Sequence, residues 1–177
     1  MEPTARCLSS ERRFAGRIFS VTVDRVRMPN GREVTLDIVR HPGSVVLIPM
    51  QDAGHVVLIR QYRYALERWI WELPAGGLEA GEDPATAAAR ECEEEVGLVP
   101  GRVELLGAWY PTPGFVTEVM TYYRLTELRA PDPHGPRAER DEDEDLRVQV
   151  FSVERAREMV DRGEIVDLKT AWGLTLI

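Results

Sequence analysis

Two stretches of this chain are apolar on consecutive residues rather than on alternate ones: 45–50 (VVLIPM) and 55–61 (HVVLIRQ), separated by the turn Gln51-Asp52-Ala53-Gly54. A strand that is apolar on both sides must be covered on both sides, so these two belong to the middle of a sheet sandwiched between other layers. Such a sheet needs helices to cover it. Helical patterns run from about Pro84 to Val96 and from Ser152 to Arg162, the second stopped by Gly163, with a further helical segment near 167–176. Strands are expected near 102–109, 118–125 and 146–151, and the polar, proline-bearing stretch from Pro131 to Asp145 reads as a loop. The order predicts an α/β fold, a mixed sheet with helices on both faces.

The first 43 residues read differently. Val34, Leu36 and Ile38 alternate with Glu33, Thr35 and Asp37, and Asn30-Gly31 before them is a hairpin signal, because both residues tolerate positive φ. The preceding run holds Ile18, Val21, Val23 and Val26, and its alternation slips near Asp24, which predicts a bulge or bend. We therefore expect residues 1–43 to form a small antiparallel β appendage and residues 44–177 the main domain. An appendage this small cannot bury its own faces and is expected to dock on something else.

Composition excludes several classes. The chain has 177 residues, 44% hydrophobic and 29% charged, which is ordinary for a globular protein rather than a disordered one. No apolar run approaches the ~20 residues needed to cross a bilayer, and Met1 to Ser10 lacks the apolar core of a signal peptide. The net charge of -8 argues against a nucleic-acid binder. Lys169 is the one lysine among 22 basic residues, so an isolated arginine carries little information here. Cys7 and Cys92 make no CxxC pair, and His41, His55 and His134 have no zinc spacing, which leaves a reducing cytoplasm as the expected compartment.

The segment 75–98, AGGLEAGEDPATAAARECEEEVGL, carries the chemistry. Asp83 is a good N-cap, Pro84 suits the first helical position and Gly97 is a natural stop. Glu91, Glu94 and Glu95 fall at i, i+3 and i+4 in the last turns of that helix. Like charges repel at those spacings, and the helix dipole disfavours them there. Arg90 offsets only part of this; a hard divalent cation would remove it.

Gly76, Glu82, Arg90, Glu91, Glu94, Glu95, Gly97 and Leu98 fit G-x5-E-x7-R-E-U-x-E-E-x-G-U, eight defined positions over 23 residues. This resembles the signature of the Nudix hydrolases. Cys92 stands at an aliphatic position and reads as a small buried hydrophobe rather than a nucleophile, since carboxylates surround it in sequence. The resemblance implies a Nudix-like α/β/α sandwich and a pyrophosphohydrolase that depends on Mg2+, with Mn2+ as a substitute. By match to the signature, Glu91, Glu94 and Glu95 and the backbone carbonyl of Ala75 are the metal-ligand candidates, Glu94 counting also among the catalytic ones. Glu82 and Arg90 are the pair expected to orient the loop against the helix.

Outside that segment the chain resembles the ADP-ribose pyrophosphatase branch. Pro113-Gly114 in YPTPGFVTE lies sixteen residues after Gly97, flanked by Phe115 and Glu118. Arg63 in RQYRYAL, followed by Trp71-Glu72-Leu73-Pro74, is the residue that the branch would place on the substrate phosphates; a guanidinium suits that role because it is planar and bidentate. In the run Asp141 to Asp145, Glu142 is the candidate base for water and Glu144 its helper near the metal. Phe19, Trp69 and Trp71 are aromatics available to stack on adenine. The resemblance also implies a homodimer whose N-terminal sheet completes the partner's site, acting on a small nucleoside diphosphate sugar, with no nucleic acid and no membrane as partner. The expected reaction is cleavage of ADP-ribose to AMP and ribose 5-phosphate. Another nucleotide-sugar pyrophosphatase, such as a GDP-mannose hydrolase, and a silent Nudix module that senses ADP-ribose are the alternatives.

Overall fold

The computed structural model describes residues 2–134 and 146–177. The chain forms two compact units: residues 1–43 with 109–119, and residues 44–108 with 120–177.

In the first unit, β1 (Arg6–Ala15), β2 (Ser20–Arg27) and β3 (Glu33–Arg40) make an antiparallel sheet in the order β1-β2-β3. The hairpin at Asn30-Gly31 is present, with Gly31 at φ 82°. The bulge expected near Asp24 is not: β2 and β3 pair without a break from Ser20↔Arg40 to Arg27↔Glu33, and the irregularities lie in β1, between Cys7 and Ser9 and between Arg12 and Phe14. Thr22, Asp24 and Val26 share the inward face, so the alternation is regular. It looked broken because Asp24 is a buried acid. Its carboxylate accepts from Ser10 Oγ at 2.6 Å and pairs with Arg40, which keeps it ionised below the usual carboxylate range. β1 itself was not anticipated, and every one of its residues is exposed. Without a covered face the strand carries no hydrophobic period to read.

The second unit is built on β4 (Ser44–Asp52), β5 (His55–Arg63), β6 (Arg68–Glu72), β7 (Ala75–Gly77), β8 (Arg102–Trp109), β9 (Met120–Thr126) and β10 (Leu146–Ser152). The sheet runs β10-β5-β4-β9-β8, with β6 on β5 and β7 on β4. β4 pairs with β9 in parallel, and β5 with β4, β6 and β10 antiparallel, so the sheet is mixed as expected. Residues Ser44 to Met50 are all buried. Val45 and Leu47 pack with Ala87, Ala88 and Cys92 of the helical segment 84–96. Ile48 and Tyr122 lie instead under Gly173, where a methyl group would meet them at 3.6 and 3.4 Å. The two sides of β4 thus face two different helical layers, which is why its sequence is apolar on both parities. Those layers are α1 (Pro84–Glu91) on one side and α3 (Leu168–Gly173) on the other; α2 (Val153–Asp161) packs on β5 and β10.

The expected mixed sheet with helices on both faces is borne out. One helix boundary differs: the α-helix ends at Glu91, and Cys92–Val96 winds as a π turn before Gly97, at φ 76°, ends it. A wider turn of this kind is uncommon and concentrates at functional positions.

Candidate active site

β4 fixes the loop that precedes the helix. Val46 pairs with Ala75 and Val45 with Gly76, so β7 is drawn onto the sheet beside the acidic turn. Asp83 caps α1 by accepting from the Thr86 N–H at 3.1 Å. The ordered loop between them is tied to the helix by Arg90, whose Nε donates to Glu82 Oε1 at 3.0 Å and whose Nη2 donates to Glu82 Oε2 at 3.1 Å and to the Gly77 carbonyl at 3.3 Å. Glu82 also accepts from the Glu79 N–H at 3.1 Å. Hydrogen bonding to Arg90 holds the Glu82 carboxyl below the usual range, and the same bond raises the Arg90 guanidinium above its own.

The other side of Arg90 answers the question that the sequence posed. Its Nη1 stands 2.8 Å from Glu91 Oε1 and 2.8 Å from Glu94 Oε2. One positive group therefore sits between the two carboxylates and relieves their repulsion. Glu95 takes another direction. It is 2% exposed, and its Oε2 accepts from the Ala75 N–H at 2.9 Å. The three acids and Ala75 are thus brought together in one small region. Among the described residues, no three acidic, histidine or cysteine side chains surround a common point.

The carboxylate oxygens of Glu91, Glu94 and Glu95 are of the donor type that a hard cation such as Mg2+ takes. Gly76 also presses against Glu91, so a methyl group there would stand 1.8 Å from the Glu91 carboxyl carbon. Only glycine lets the loop come this close to the acid. Cys92 is the buried hydrophobe expected: burial first, then the charges of Glu95 and Glu93, push its thiol up to about 12.

Arg63 ends β5 and is bound rather than free. Nε and Nη2 donate to the two oxygens of Glu72 at 2.6 and 2.9 Å, and that bond raises the guanidinium above its usual range, with smaller contributions from the charges of Glu95 and Asp167. Glu72 is 2% exposed and pairs also with Lys169. Burial pushes the Glu72 carboxyl up, but Arg63 and Lys169 outweigh it and keep it below the usual range. Neither Glu72 nor Lys169 was singled out for a role. The available signal was a lone lysine in an arginine-rich chain and an acid inside the apolar run Trp69 to Leu73.

Other predicted residues lie elsewhere. The register pairs Arg60 with Trp71 and Ile59 with Glu72, so Trp71 and Glu72 stand on opposite faces of β6. The Trp71 ring meets Phe151 edge-on at 5.0 Å and lies 5.7 Å from the Arg60 guanidinium. Trp69 likewise contacts Tyr62 and Arg147. Phe19, Pro113 and Gly114 belong to the first unit. There Phe19 lies 5.9 Å from Phe14, and Pro113-Gly114 form the turn after which the Phe115 carbonyl accepts from the Val39 N–H at 2.8 Å. Glu142 and Glu144 fall outside the described residues. A cavity of about 650 Å³ at the far end of β4, lined by Asp52, Arg102, Glu104, Arg124 and Arg157 among others, contains none of the predicted residues.

Comparison with known proteins shows the family. A model of the NUDIX domain matches residues 39–169, and one of the nucleoside diphosphate sugar hydrolase N-terminal domain matches residues 6–36. The chain is 36% identical to an ADP-ribose pyrophosphatase of Bacillus subtilis, over 96% of this chain and 90% of that protein. It is 40% identical to an ADP-ribose pyrophosphatase of Mycobacterium tuberculosis, over 90% of this chain and 76% of that protein. A crystal structure of an ADP compounds hydrolase superimposes with a TM-score of 0.80 over 99% of this chain and 93% of the other, at 19% identity, a likeness of fold. With the signature, the sandwich and these relatives in agreement, the chain belongs to the Nudix family of pyrophosphohydrolases.

Proposed function

We propose that the protein hydrolyses the pyrophosphate of ADP-ribose to AMP and ribose 5-phosphate with Mg2+, Mn2+ serving as a substitute. The observation that carries this reading is the placing of Glu91 and Glu94 on Arg90, and of Glu95 on the Ala75 N–H, beside a loop that only Gly76 allows so close. The full-length relatives named for ADP-ribose support the choice of substrate.

The three glutamates and the Ala75 carbonyl would hold the cation. When bound, it supplies positive charge to the pyrophosphate oxygens and makes water a stronger acid. Glu82 and Arg90 keep the loop and helix in register. Arg63 takes a phosphate and aligns it for in-line attack. Glu142, with Glu144, accepts the proton of the attacking water. The water oxygen forms a new bond to one phosphorus, the bond from that phosphorus to the bridging oxygen breaks, and the other phosphate leaves. We assign the nucleoside side of the substrate to Phe19, Pro113, Gly114 and Trp71. The exposed β1, with Leu8, Phe14, Ile18 and Phe19 uncovered, supports a homodimer in which a second copy covers this sheet and the appendage completes the partner's site. Both cysteines are free and no described helix is long and apolar enough to cross a membrane, in keeping with the cytoplasm as its compartment.

The test is turnover of ADP-ribose, GDP-mannose, NADH, diadenosine polyphosphates and coenzyme A, with Mg2+, with Mn2+ and with chelator. ADP-ribose should give the highest kcat/KM. A tenfold preference for GDP-mannose, ~1.4 kcal/mol in transition-state binding, rejects the substrate assignment and keeps the chemistry. ADP-ribose binding without turnover of any compound marks a sensor module.

A further inference from the structure

Four consecutive residues lead into the catalytic loop, and each is held by a different contact. Glu72 accepts from Arg63 and pairs with Lys169. The Leu73 N–H donates to Thr170 Oγ1 at 2.7 Å. The Pro74 carbonyl accepts from the Leu47 N–H at 2.9 Å. The Ala75 N–H donates to Glu95 at 2.9 Å. Two of these four contacts come from the first turn of α3, 97 residues further along the chain.

That turn does more than cap a helix. Asp167 accepts from the Thr170 N–H at 3.0 Å, which is the ordinary cap. It also accepts from Thr170 Oγ1 at 2.6 Å and from Lys169 Nζ at 2.9 Å, so both side chains are aimed before they reach β6. Lys169 is turned inward, its side chain 8% exposed, and its carbonyl accepts from the Tyr122 hydroxyl at 3.2 Å. Gly173 lies against Leu73, where a methyl group would come to 2.4 Å of its Cδ1, and so lets α3 sit tightly on this segment.

The charges define the consequence. Arg63 and Lys169 oppose Glu72 and Asp167, so the cluster is neutral as folded. Without Lys169, Arg63 would be the single cation facing a Glu72 that is 2% exposed, and the cluster would carry a negative charge next to a site meant for phosphates. Arg63 itself keeps 40% of its side chain exposed. We infer that Lys169, set by Asp167, is a positioning residue of the active site: it offsets Glu72 so that Arg63 is oriented by that acid while its positive charge stays available to the substrate phosphates. Thr170, through Leu73, holds the same segment two residues before the Ala75 carbonyl. The inference rests on the reading of Arg63 as a phosphate ligand.

The experiment is calorimetric titration with ADP-ribose in chelator, where nothing is turned over, of the full chain, Lys169→Met, Lys169→Arg, Arg63→Ala and the double variant Lys169→Met/Arg63→Ala. Lys169→Met should weaken binding about tenfold, Lys169→Arg should restore most of it, and the double variant should bind no more weakly than Arg63→Ala, because the lysine acts through the arginine. With Mg2+, Lys169→Met should raise KM more than it lowers kcat. Should Lys169→Met fail to fold, Lys169→Gln is read in the same way. Wild-type binding with only a lowered Tm, or an equal loss in the Arg63→Ala background, overturns the inference. Wild-type binding by Arg63→Ala overturns it together with the Arg63 assignment. Absence of Mg2+-dependent turnover in the unaltered protein is a separate result, which overturns the hydrolase reading alone.

Discussion

Gly76→Ala tests the contact on which the site is built. The backbone of Gly76 lies outside the left-handed region, so alanine is acceptable there on conformational grounds. The difficulty is steric. The new Cβ would lie 1.8 Å from the Glu91 carboxyl carbon and 1.9 Å from its Oε1. To reach ordinary contact at 3.4 Å, the carboxylate must retreat by roughly 1.6 Å. It can do so, being the end of a flexible side chain, but it then loses its place on Arg90 Nη1. One charge-assisted hydrogen bond in a partly exposed setting is worth about 1 kcal/mol, and Arg90 keeps Glu82 and Glu94, so Tm should fall by only ~2–4 °C. Catalysis is less forgiving. A misplacement of about 1 Å in a catalytic constellation can cost 100-fold, so kcat should fall about 10²–10³-fold, or ~3–4 kcal/mol in the barrier. The assay is release of AMP and ribose 5-phosphate at saturating Mg2+, with Tm measured on the same sample. A kcat within twofold of wild type refutes the placement of Glu91 in the site. A collapse in Tm would show that Gly76 serves the fold instead.

Glu95→Gln should fold, since the amide oxygen can still accept from Ala75, and should hold or raise Tm while turnover falls by about 100-fold or more; near-normal activity in saturating Mg2+ would remove Glu95 from the metal set. Deleting residues 1–40 should leave the protein monomeric, poorly soluble or inactive, and a fully active monomer by light scattering would contradict the role proposed for the appendage. Stability should fall in acid. Glu82, held low by Arg90, and Glu72, held low by Arg63 and Lys169 against its burial, release protons more readily folded than unfolded. Their contribution is complete above the unfolded value of about 4.3 and is lost as pH drops through the lowered folded values, so chemical denaturation between about pH 5 and pH 2 should show ΔG decreasing, and Glu82→Gln should flatten that decline.

What could be read in the chain was whatever has a local cause. The doubly apolar runs at 45–50 and 55–61 became buried central strands because hydropathy records how many faces are covered. The helix start was legible in Asp83-Pro84, and the chemistry in spaced acids whose repulsion needed a reason. What could not be read depends on partners far away in sequence. Asp24 looked like a break in β2 because its partners Ser10 and Arg40 lie on neighbouring strands. β1 showed no pattern because this chain covers neither of its faces. The π turn at Cys92–Val96 leaves no mark in helix propensity. Glu72 and Lys169 stand 97 residues apart, and no local rule couples an acid at the end of β6 to a lysine in α3.

The central claim is that this carboxylate-lined loop directs water to phosphorus, and oxygen-18 water tests it most directly. ADP-ribose hydrolysed with Mg2+ in labelled water should give AMP or ribose 5-phosphate carrying one label on its phosphate, with no label at a ribose C5 and about 100-fold less phosphate label for Glu95→Gln over the same time; the free anomeric oxygen of the terminal ribose exchanges with water on its own and is not counted. Label at a ribose C5, or ADP among the products, would contradict the account.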